Sequence, residues 1–139
     1  MNTQTVTLND IRGFVYEALD DMKFLGYTPG LIENINVSYR YTRAWAKCTF
    51  HFKTKTFTIT VSDKLYNANR DSVRDTIYHE VIHTLPGCFN HGPNFKRVMQ
   101  HLNNVFNTHI SVTKSESEMY NGNSQKNLTM KDWLYAQAE

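Results

Sequence analysis

The pattern H-E-x-x-H at residues 79–83 constrains this 139-residue chain more than any other feature of its sequence. On an α-helix, positions i and i+4 lie on one face, so His79 and His83 point their imidazoles at one place. Glu80 is turned by one residue, so its carboxylate can reach a water at that place without being a ligand. The pattern therefore predicts a Zn²⁺ site in which two histidines hold the metal and the glutamate is the general base.

The residues around this pattern favour a helix. Asp71 or Ser72 can cap its start, and Pro86-Gly87 ends it within one turn of the second histidine. Apolar residues recur at every fourth position, as on the buried stripe of an amphipathic helix, at Val73, Ile77 and Val81. We expect a buried helix with one polar face that can bind a metal.

A third metal ligand is expected, because a catalytic zinc site usually takes three protein ligands and leaves a fourth position for water. His91 is the candidate. The Pro86-Gly87 turn lets the chain reverse after His83, and Gly92-Pro93 then opens a second helix. The alternative is an exposed or capping histidine in a loop. The sequence predicts one catalytic Zn²⁺ ion held by His79, His83 and His91.

These residues resemble the SprT-like domain, the metalloprotease domain that Spartan-type proteins share. The resemblance is strongest over about residues 70–106. Seven residues separate His83 from His91, whereas the metzincin spacing H-x-x-G-x-x-H is shorter. The resemblance implies a zinc metallopeptidase that cleaves proteins, including DNA-bound or DNA-crosslinked proteins. The pattern that carries it is H-E-x-x-H, then a turn, then His91-Gly92-Pro93-Asn94-Phe95 and Met99.

The chain departs from Spartan-type proteins in one respect. Those proteins are expected to follow the protease domain with a zinc-binding or other DNA-binding module, but this sequence contains no C-x-x-C pair. Its two cysteines, Cys48 and Cys88, fit a reducing compartment. Cys88 lies close to the metal motif, and a small buried residue in the turn is favoured over a ligand or redox role. The departure weighs against DNA-dependent activation.

Element order and the resemblance together predict an α+β, zincin-like fold. An N-terminal helix begins at Thr7, where Asp10 completes a capping box, and a break follows at residues 26–30. The H-E-x-x-H helix is expected to pack against a following helix over residues 93–106. Between the N-terminal helix and the H-E-x-x-H helix the apolar period changes to two, which predicts three antiparallel strands at about residues 35–42, 45–53 and 56–62.

One compact domain suits a chain of this length. We expect residues 1–112 to form the metalloprotease domain, and residues 113–139 to form a polar loop and a short C-terminal helix docked on it. The sequence has no apolar run of membrane-spanning length and opens without a signal sequence. It therefore predicts a cytoplasmic protein with no membrane partner.

Basic and aromatic residues alternate between Tyr39 and Lys55, although the net charge of the chain is only +2. This stretch is either a surface for nucleic acid or the solvated face of a half-buried sheet. The candidate nucleic-acid contacts are Arg40, Arg43, Lys47, Lys53 and Lys55.

Cleavage of a peptide bond needs a further donor for the oxyanion, and four residues are candidates that the sequence does not rank: Tyr78, Tyr120, Tyr135 and Asn90. Three functions stay open. The favoured one is a zinc metallopeptidase that acts on a protein or peptide substrate, with DNA as a further partner. The second is a zinc-containing nucleic-acid- or protein-binding module without peptidase activity. The third is a zinc hydrolase acting on a small amide or a cell-wall peptide.

Overall fold

The computed structural model describes residues 6–39 and 44–120 and has the mixed α+β architecture that the sequence predicts. None of the described helices is both long and apolar enough to cross a lipid bilayer. The elements follow in the order α1 (Leu8–Phe24), β1 (Ile32–Ser38), β2 (Ala46–His51), β3 (Thr56–Ser62), a 3-10 turn (Asp63–Asn67), α2 (Arg70–Ile82), α3 (Pro93–Phe106) and α4 (Glu116–Tyr120).

Helix α1 begins with the predicted capping box. The Thr7 hydroxyl accepts the backbone N–H of Asp10 at 3.1 Å, and the Asp10 carboxylate accepts the backbone N–H of Thr7 at 2.8 Å. A cap of this kind contributes roughly 1 kcal/mol to helix stability. The helix packs on α2, and its buried residues are Ile11, Val15, Ala18 and Met22.

The three strands form one sheet in the order β1-β3-β2. β2 and β3 are antiparallel, as predicted, with Cys48 opposite Ile59. The prediction of an all-antiparallel sheet is wrong for β1, which runs parallel to β3 with Ile35 opposite Ile59. Alternating apolar residues indicate which side chains face the core, and they carry no information on strand direction. β2 runs opposite to β1, and β3 reverses direction again and lies between the two. β3 therefore runs in the same direction as β1.

β3 is the central strand, and nearly all of its residues are buried, on both faces of the sheet. Its apolar residues Phe57, Ile59 and Val61 share the face that meets the helices. The hydroxyl side chains of Thr56 and Thr58 are buried on the other face. Among the described residues β2 pairs only with β3, so β2 forms an edge of the sheet.

Helix α2 is the buried centre of the fold. From Ser72 to Ile82 every residue except Arg74 is buried. Helix α1 covers one side of α2, and α3 packs against another side, as predicted. Polar groups on α2 are therefore screened from water, which governs the electrostatics of any site built on this helix.

Residues 116–120 form α4, where the sequence analysis expects a loop. Met119 and Tyr120 are buried, and the backbone N–H of Asn69 donates to the Met119 carbonyl at 2.6 Å. One helical turn with two apolar residues is too short to produce a periodic signal in the sequence, so the sequence does not predict α4. The C-terminal helix expected beyond this point lies outside the described residues, and the division of the chain at residues 112 and 113 stays a prediction.

Candidate metal centre

Helix α2 carries two of the three predicted ligands. Its N-terminal cap is Asn69, whose side chain accepts the N–H of Asp71 at 3.1 Å, so the helix starts slightly earlier than a cap at Asp71 or Ser72 would allow. His79 lies in the last turn and His83 is the C-terminal cap residue. The helical spacing brings the two rings to one face, with their centroids 4.9 Å apart.

A tight turn brings His91 to the same place. Gly87 has a φ of 79°, a left-handed conformation that glycine adopts without strain, and this lets the chain reverse after α2. Pro93 then starts α3, as predicted. The His91 ring lies at the mouth of α3, with its centroid 4.9 Å from that of His79 and 5.0 Å from that of His83.

The Nε2 atoms of these three histidines, called here the histidine triad, converge on one point. They lie 3.2 Å apart between His79 and His83, 3.1 Å apart between His79 and His91, and 3.2 Å apart between His83 and His91. The described part of the chain holds no second group of three His, Cys, Asp or Glu side chains placed closely enough to share a metal ion.

Backbone carbonyls hold two of the rings in place. His79 Nδ1 lies 2.9 Å from the Ser111 oxygen, and His83 Nδ1 lies 2.9 Å from the Cys88 oxygen. Because a carbonyl oxygen can only accept, each Nδ1 carries the proton, and Nε2 of the neutral ring carries a lone pair. Lone pairs that face one another at so short a distance repel unless a cation stands between them. The donor set therefore fits a metal ion held by His79, His83 and His91.

Phe95 forms the floor of the centre. Its ring is fully buried, and its centroid lies 4.9 Å, 4.8 Å and 5.0 Å from those of His79, His83 and His91. An apolar floor keeps water from one side of the triad and restricts rotation of the imidazoles. Water and any ligand would reach the triad from another side.

Burial keeps the histidines in the form that binds metal. It lowers the pKa of His79 to about 4, and this effect outweighs the hydrogen bond to the Ser111 carbonyl, which acts in the opposite direction. Burial lowers the pKa of His83 as well. Metal ligation requires the neutral imidazole, so both rings are ready to bind at neutral pH.

Glu80 lies beside the triad. Its Oε2 atom is 3.9 Å from His79 Nε2, and only 6% of the residue is exposed. Burial raises the pKa of Glu80 to about 8. A cation at the triad would lower this pKa again, because a nearby positive charge favours the carboxylate. The side chain is thus placed to accept a proton close to the point on which the triad converges.

A cleft of about 300 Å³ opens beside the triad. Residues 44–46, at the start of β2, line one part of it, and residues 111–114 line another. Helix α2 contributes His79 and Glu80 to the same cleft. A group bound there would meet the Glu80 carboxylate and the triad together.

Asp75 is a component of the cleft that the sequence analysis missed. It is 3% exposed, and its carboxylate accepts the backbone N–H of His109 at 3.3 Å and pairs with the Lys114 ammonium at 3.3 Å. The Lys114 ammonium also donates to the His109 carbonyl at 2.7 Å. These contacts hold the segment that presents the Ser111 carbonyl to His79. The spacing in the sequence could have identified Asp75, because it lies four residues before His79 and so on the same helix face.

The candidate oxyanion donors lie away from the cleft or outside the described residues. The Tyr78 hydroxyl points toward α1, and the Tyr120 hydroxyl donates to the Lys64 carbonyl at 3.5 Å. The Asn90 side chain accepts a backbone N–H of its own loop at 2.9 Å. Tyr135 is not among the described residues. The structure therefore does not bring Tyr78 or Tyr120 to the triad.

Three of the candidate nucleic-acid contacts, Lys47, Lys53 and Lys55, are exposed on β2 and the turn that follows it. Arg40 and Arg43 lie outside the described residues. Exposure of the three lysines agrees with a nucleic-acid surface and equally with the solvated face of a sheet.

Comparison with known proteins gives one positive result. Neither the curated proteins nor the solved structures yield a significant match. The model of the SprT-like family matches residues 15–116, a segment that contains the sheet, the histidine triad, Glu80 and Ser111. The match covers well over half of the chain, and the chain belongs to the SprT-like family.

Proposed function

We propose that this protein is a zinc-dependent metallopeptidase of zincin-like fold that cleaves protein substrates. The observation that carries the proposal is the convergence of three histidine Nε2 atoms beside the buried carboxylate of Glu80. Membership of the SprT-like family supports it, because the resemblance of the H-E-x-x-H and H-G-P-x-F segments implies this activity.

Zinc is the ion that this donor set suits best. Three imidazole nitrogens and one open position are a common arrangement of catalytic zinc, with Zn–N distances of about 2.0–2.1 Å. Ligand atoms of a tetrahedron with such bonds lie about 3.3–3.4 Å apart, as simple geometry requires. The spacings of 3.1–3.2 Å within the triad are close to that value.

The chain's own residues divide the chemistry between them. His79, His83 and His91 would hold the ion, which when bound polarises the scissile carbonyl and makes a water acidic. Glu80 takes the proton from the attacking water and hands it to the leaving amine. The Ser111 and Cys88 carbonyls keep two of the imidazoles oriented throughout, because each holds the Nδ1 proton of its ring.

The substrate enters by the cleft, where the edge strand β2 offers backbone groups to an extended polypeptide. DNA-bound or DNA-crosslinked proteins are the substrates we propose, from the resemblance to Spartan-type proteins. Lys47, Lys53 and Lys55 are exposed along β2 and the turn that follows it, where they could contact DNA.

The same lysines favour a second candidate function, which is a zinc-containing nucleic-acid- or protein-binding module without peptidase activity. This alternative predicts DNA binding by the isolated chain that weakens steeply as salt rises. Undetectable binding at low salt would count against it.

The experiment that tests the first proposal is proteolysis of a DNA-bound basic protein by the zinc-loaded chain, with and without DNA. Glu80→Gln is expected to retain one zinc per chain and to lose cleavage, because the amide cannot accept the proton. Asp20→Asn, which changes an exposed carboxylate on α1 to an amide, is the matched control and should cleave like the wild type.

Equal cleavage by Glu80→Gln and wild type would refute the assignment of Glu80 and point to a contaminating protease. No cleavage by either protein, with zinc still bound, would favour the binding-module alternative. A requirement for DNA would assign the mode of action of Spartan-type proteins to this chain.

A further inference from the structure

Four phenylalanines form an aromatic patch at the end of β2. Phe52 is 79% exposed and Phe89 is 65% exposed, although most large apolar side chains of the described residues are buried. The Phe50 ring links the others, with centroids 5.1 Å from Phe52, 4.9 Å from Phe57 and 6.3 Å from Phe89. Single apolar side chains are common on protein surfaces, whereas a cluster of exposed rings marks an interaction site.

The patch lies next to the histidine triad. Phe89 belongs to the turn that connects His83 to His91, and it precedes His91 by two positions. The residue before it, Cys88, gives its carbonyl to His83 Nδ1 at 2.9 Å. The Cys88 carbonyl on one side of Phe89 and His91 on the other therefore both contact the triad or belong to it. These contacts fix the position of Phe89 relative to the triad.

One face of β2 connects the cleft to the patch. Ala46, Cys48 and Phe50 lie opposite residues of β3 that face the helices, so their side chains share that face. Ala46 lines the cleft, and Phe50 belongs to the patch. Cys48 lies between them, where burial and the charge of Glu80 raise its pKa to about 12. The face spans about 13 Å from Ala46 to Phe50, at the usual rise of a strand.

The backbone of β2 is suited to pair with a polypeptide along the same path. The Ser62 N–H donates to the Trp45 carbonyl at 2.8 Å, so alternate residues from Trp45 onward turn their backbone groups toward β3. The backbone groups of Ala46, Cys48 and Phe50 then face the open edge. An extended peptide paired there would begin at the cleft, which Ala46 lines together with His79 and His91, and would reach the patch about four residues further along.

We propose that the aromatic patch is a specificity subsite that receives one large apolar side chain of the substrate polypeptide, about four residues from the bond that is cleaved. The inference rests on the proposed function and names the kind of sequence that the enzyme prefers. Its occupant is an apolar side chain, because the exposed rings of Phe52 and Phe89, backed by Phe50 and the buried Phe57, carry no hydrogen-bonding groups.

The test begins by mapping the bonds that the zinc-loaded chain cleaves in an unfolded protein. Peptides containing one such bond are then made in pairs, with leucine or serine at the position that reaches the patch. Wild type is expected to prefer the leucine peptide by roughly tenfold in kcat/KM. Phe89→Ala should remove most of this preference by raising KM for the leucine peptide, with little change in kcat.

Tyr16→Ala is the matched control, because Tyr16 is a 68% exposed aromatic residue on α1. It should keep the preference of the wild type. Phe52→Ala provides a second variant, and both patch variants replace exposed rings, so zinc content and thermal midpoint should equal those of wild type. A preference for leucine that survives in both patch variants would overturn the inference.

Binding separates failure of the subsite from failure of the proposed activity. A fluorescent peptide with one leucine in an otherwise polar sequence, chosen without reference to any cleavage site, is titrated with zinc-loaded Glu80→Gln, and with the same protein carrying Phe89→Ala. Weaker binding in the double variant supports the subsite even if wild type cleaves no peptide, an outcome that would refute only the proteolytic activity. If Phe52→Ala instead weakens binding of single-stranded DNA and leaves peptide binding unchanged, the patch is a base-stacking surface and the inference is wrong.

Discussion

The carboxylate of Asp75 and the ammonium of Lys114 form a buried ion pair with 3.3 Å between Oδ2 and Nζ. Only 4% of the Asp75 side chain and 8% of the Lys114 side chain are exposed. The pair joins helix α2 to the segment that contains Ser111, whose carbonyl holds His79 Nδ1. Removing one partner of such a pair leaves the other charge buried and unpaired, which is costly.

Asp75→Asn is therefore expected to weaken zinc binding by about 10- to 100-fold, the usual effect of losing a group that orients a ligand. The physical reason is that the Ser111 carbonyl loses its anchorage and His79 its orientation. A competition titration with a coloured chelator measures the affinity. Asp20→Asn, an exposed carboxylate on α1, is the control. Unchanged affinity in folded Asp75→Asn would contradict the role of the ion pair.

The metal-free protein should lose stability between pH 6.5 and 8. Burial raises the pKa of Glu80 from 4.5 to about 8, so the folded state keeps a proton that the unfolded state releases. This contribution is fully present below the unfolded pKa and is lost as the pH rises through the folded pKa. The lowered pKa values of His79 and His83 oppose this loss only weakly above pH 6.5, because both residues are then increasingly neutral in the unfolded state as well.

Urea unfolding in the presence of a chelator, at several pH values from 6.5 to 9, measures this loss. Glu80→Gln should show a much smaller change over the same range. Zinc should also suppress the change, because a cation near Glu80 lowers its pKa. A metal-free wild type whose stability is constant across this range would show that Glu80 is ionised well below pH 8.

Tyr78→Phe should reduce stability and leave catalysis intact. The Tyr78 hydroxyl donates to the Asp21 carboxylate at 2.6 Å and joins α2 to α1 on the side away from the cleft. Loss of a hydrogen bond to a charged group costs about 1.5–3 kcal/mol of unfolding free energy. Chemical denaturation and kcat are the two measurements. A large fall in kcat with unchanged stability would restore Tyr78 as an oxyanion donor.

Met119→Ala should destabilise the protein by roughly 2–5 kcal/mol, the range for removing a large buried apolar side chain. Met119 is fully buried although it lies in a segment whose sequence is mostly polar. Thermal or urea unfolding measures the effect, and Val105→Ala, at a 48% exposed position of α3, is the control. Equal stability of the two variants would mean that α4 contributes little to the core.

The sequence was most informative where the determining contacts are local. Helix α2, the turn after His83 and the start of α3 at Pro93 follow from spacings of a few residues and from glycine and proline chemistry. The parallel pairing of β1 with β3 could not be predicted from the sequence, because it depends on the position of β3 between the two earlier strands. The Asp75–Lys114 pair joins residues 39 positions apart, and no local pattern reports such a contact.

The carbonyl that holds His79 belongs to Ser111, 32 positions later in the chain. During synthesis the three histidines leave the ribosome before Ser111 and Lys114 do, so the nascent chain displays ligands whose orientation is not yet set. The final orientation of His79 must therefore wait for the segment that contains Ser111 to emerge and dock. The order of synthesis thus delays completion of the histidine triad until the residues that orient and enclose it are available.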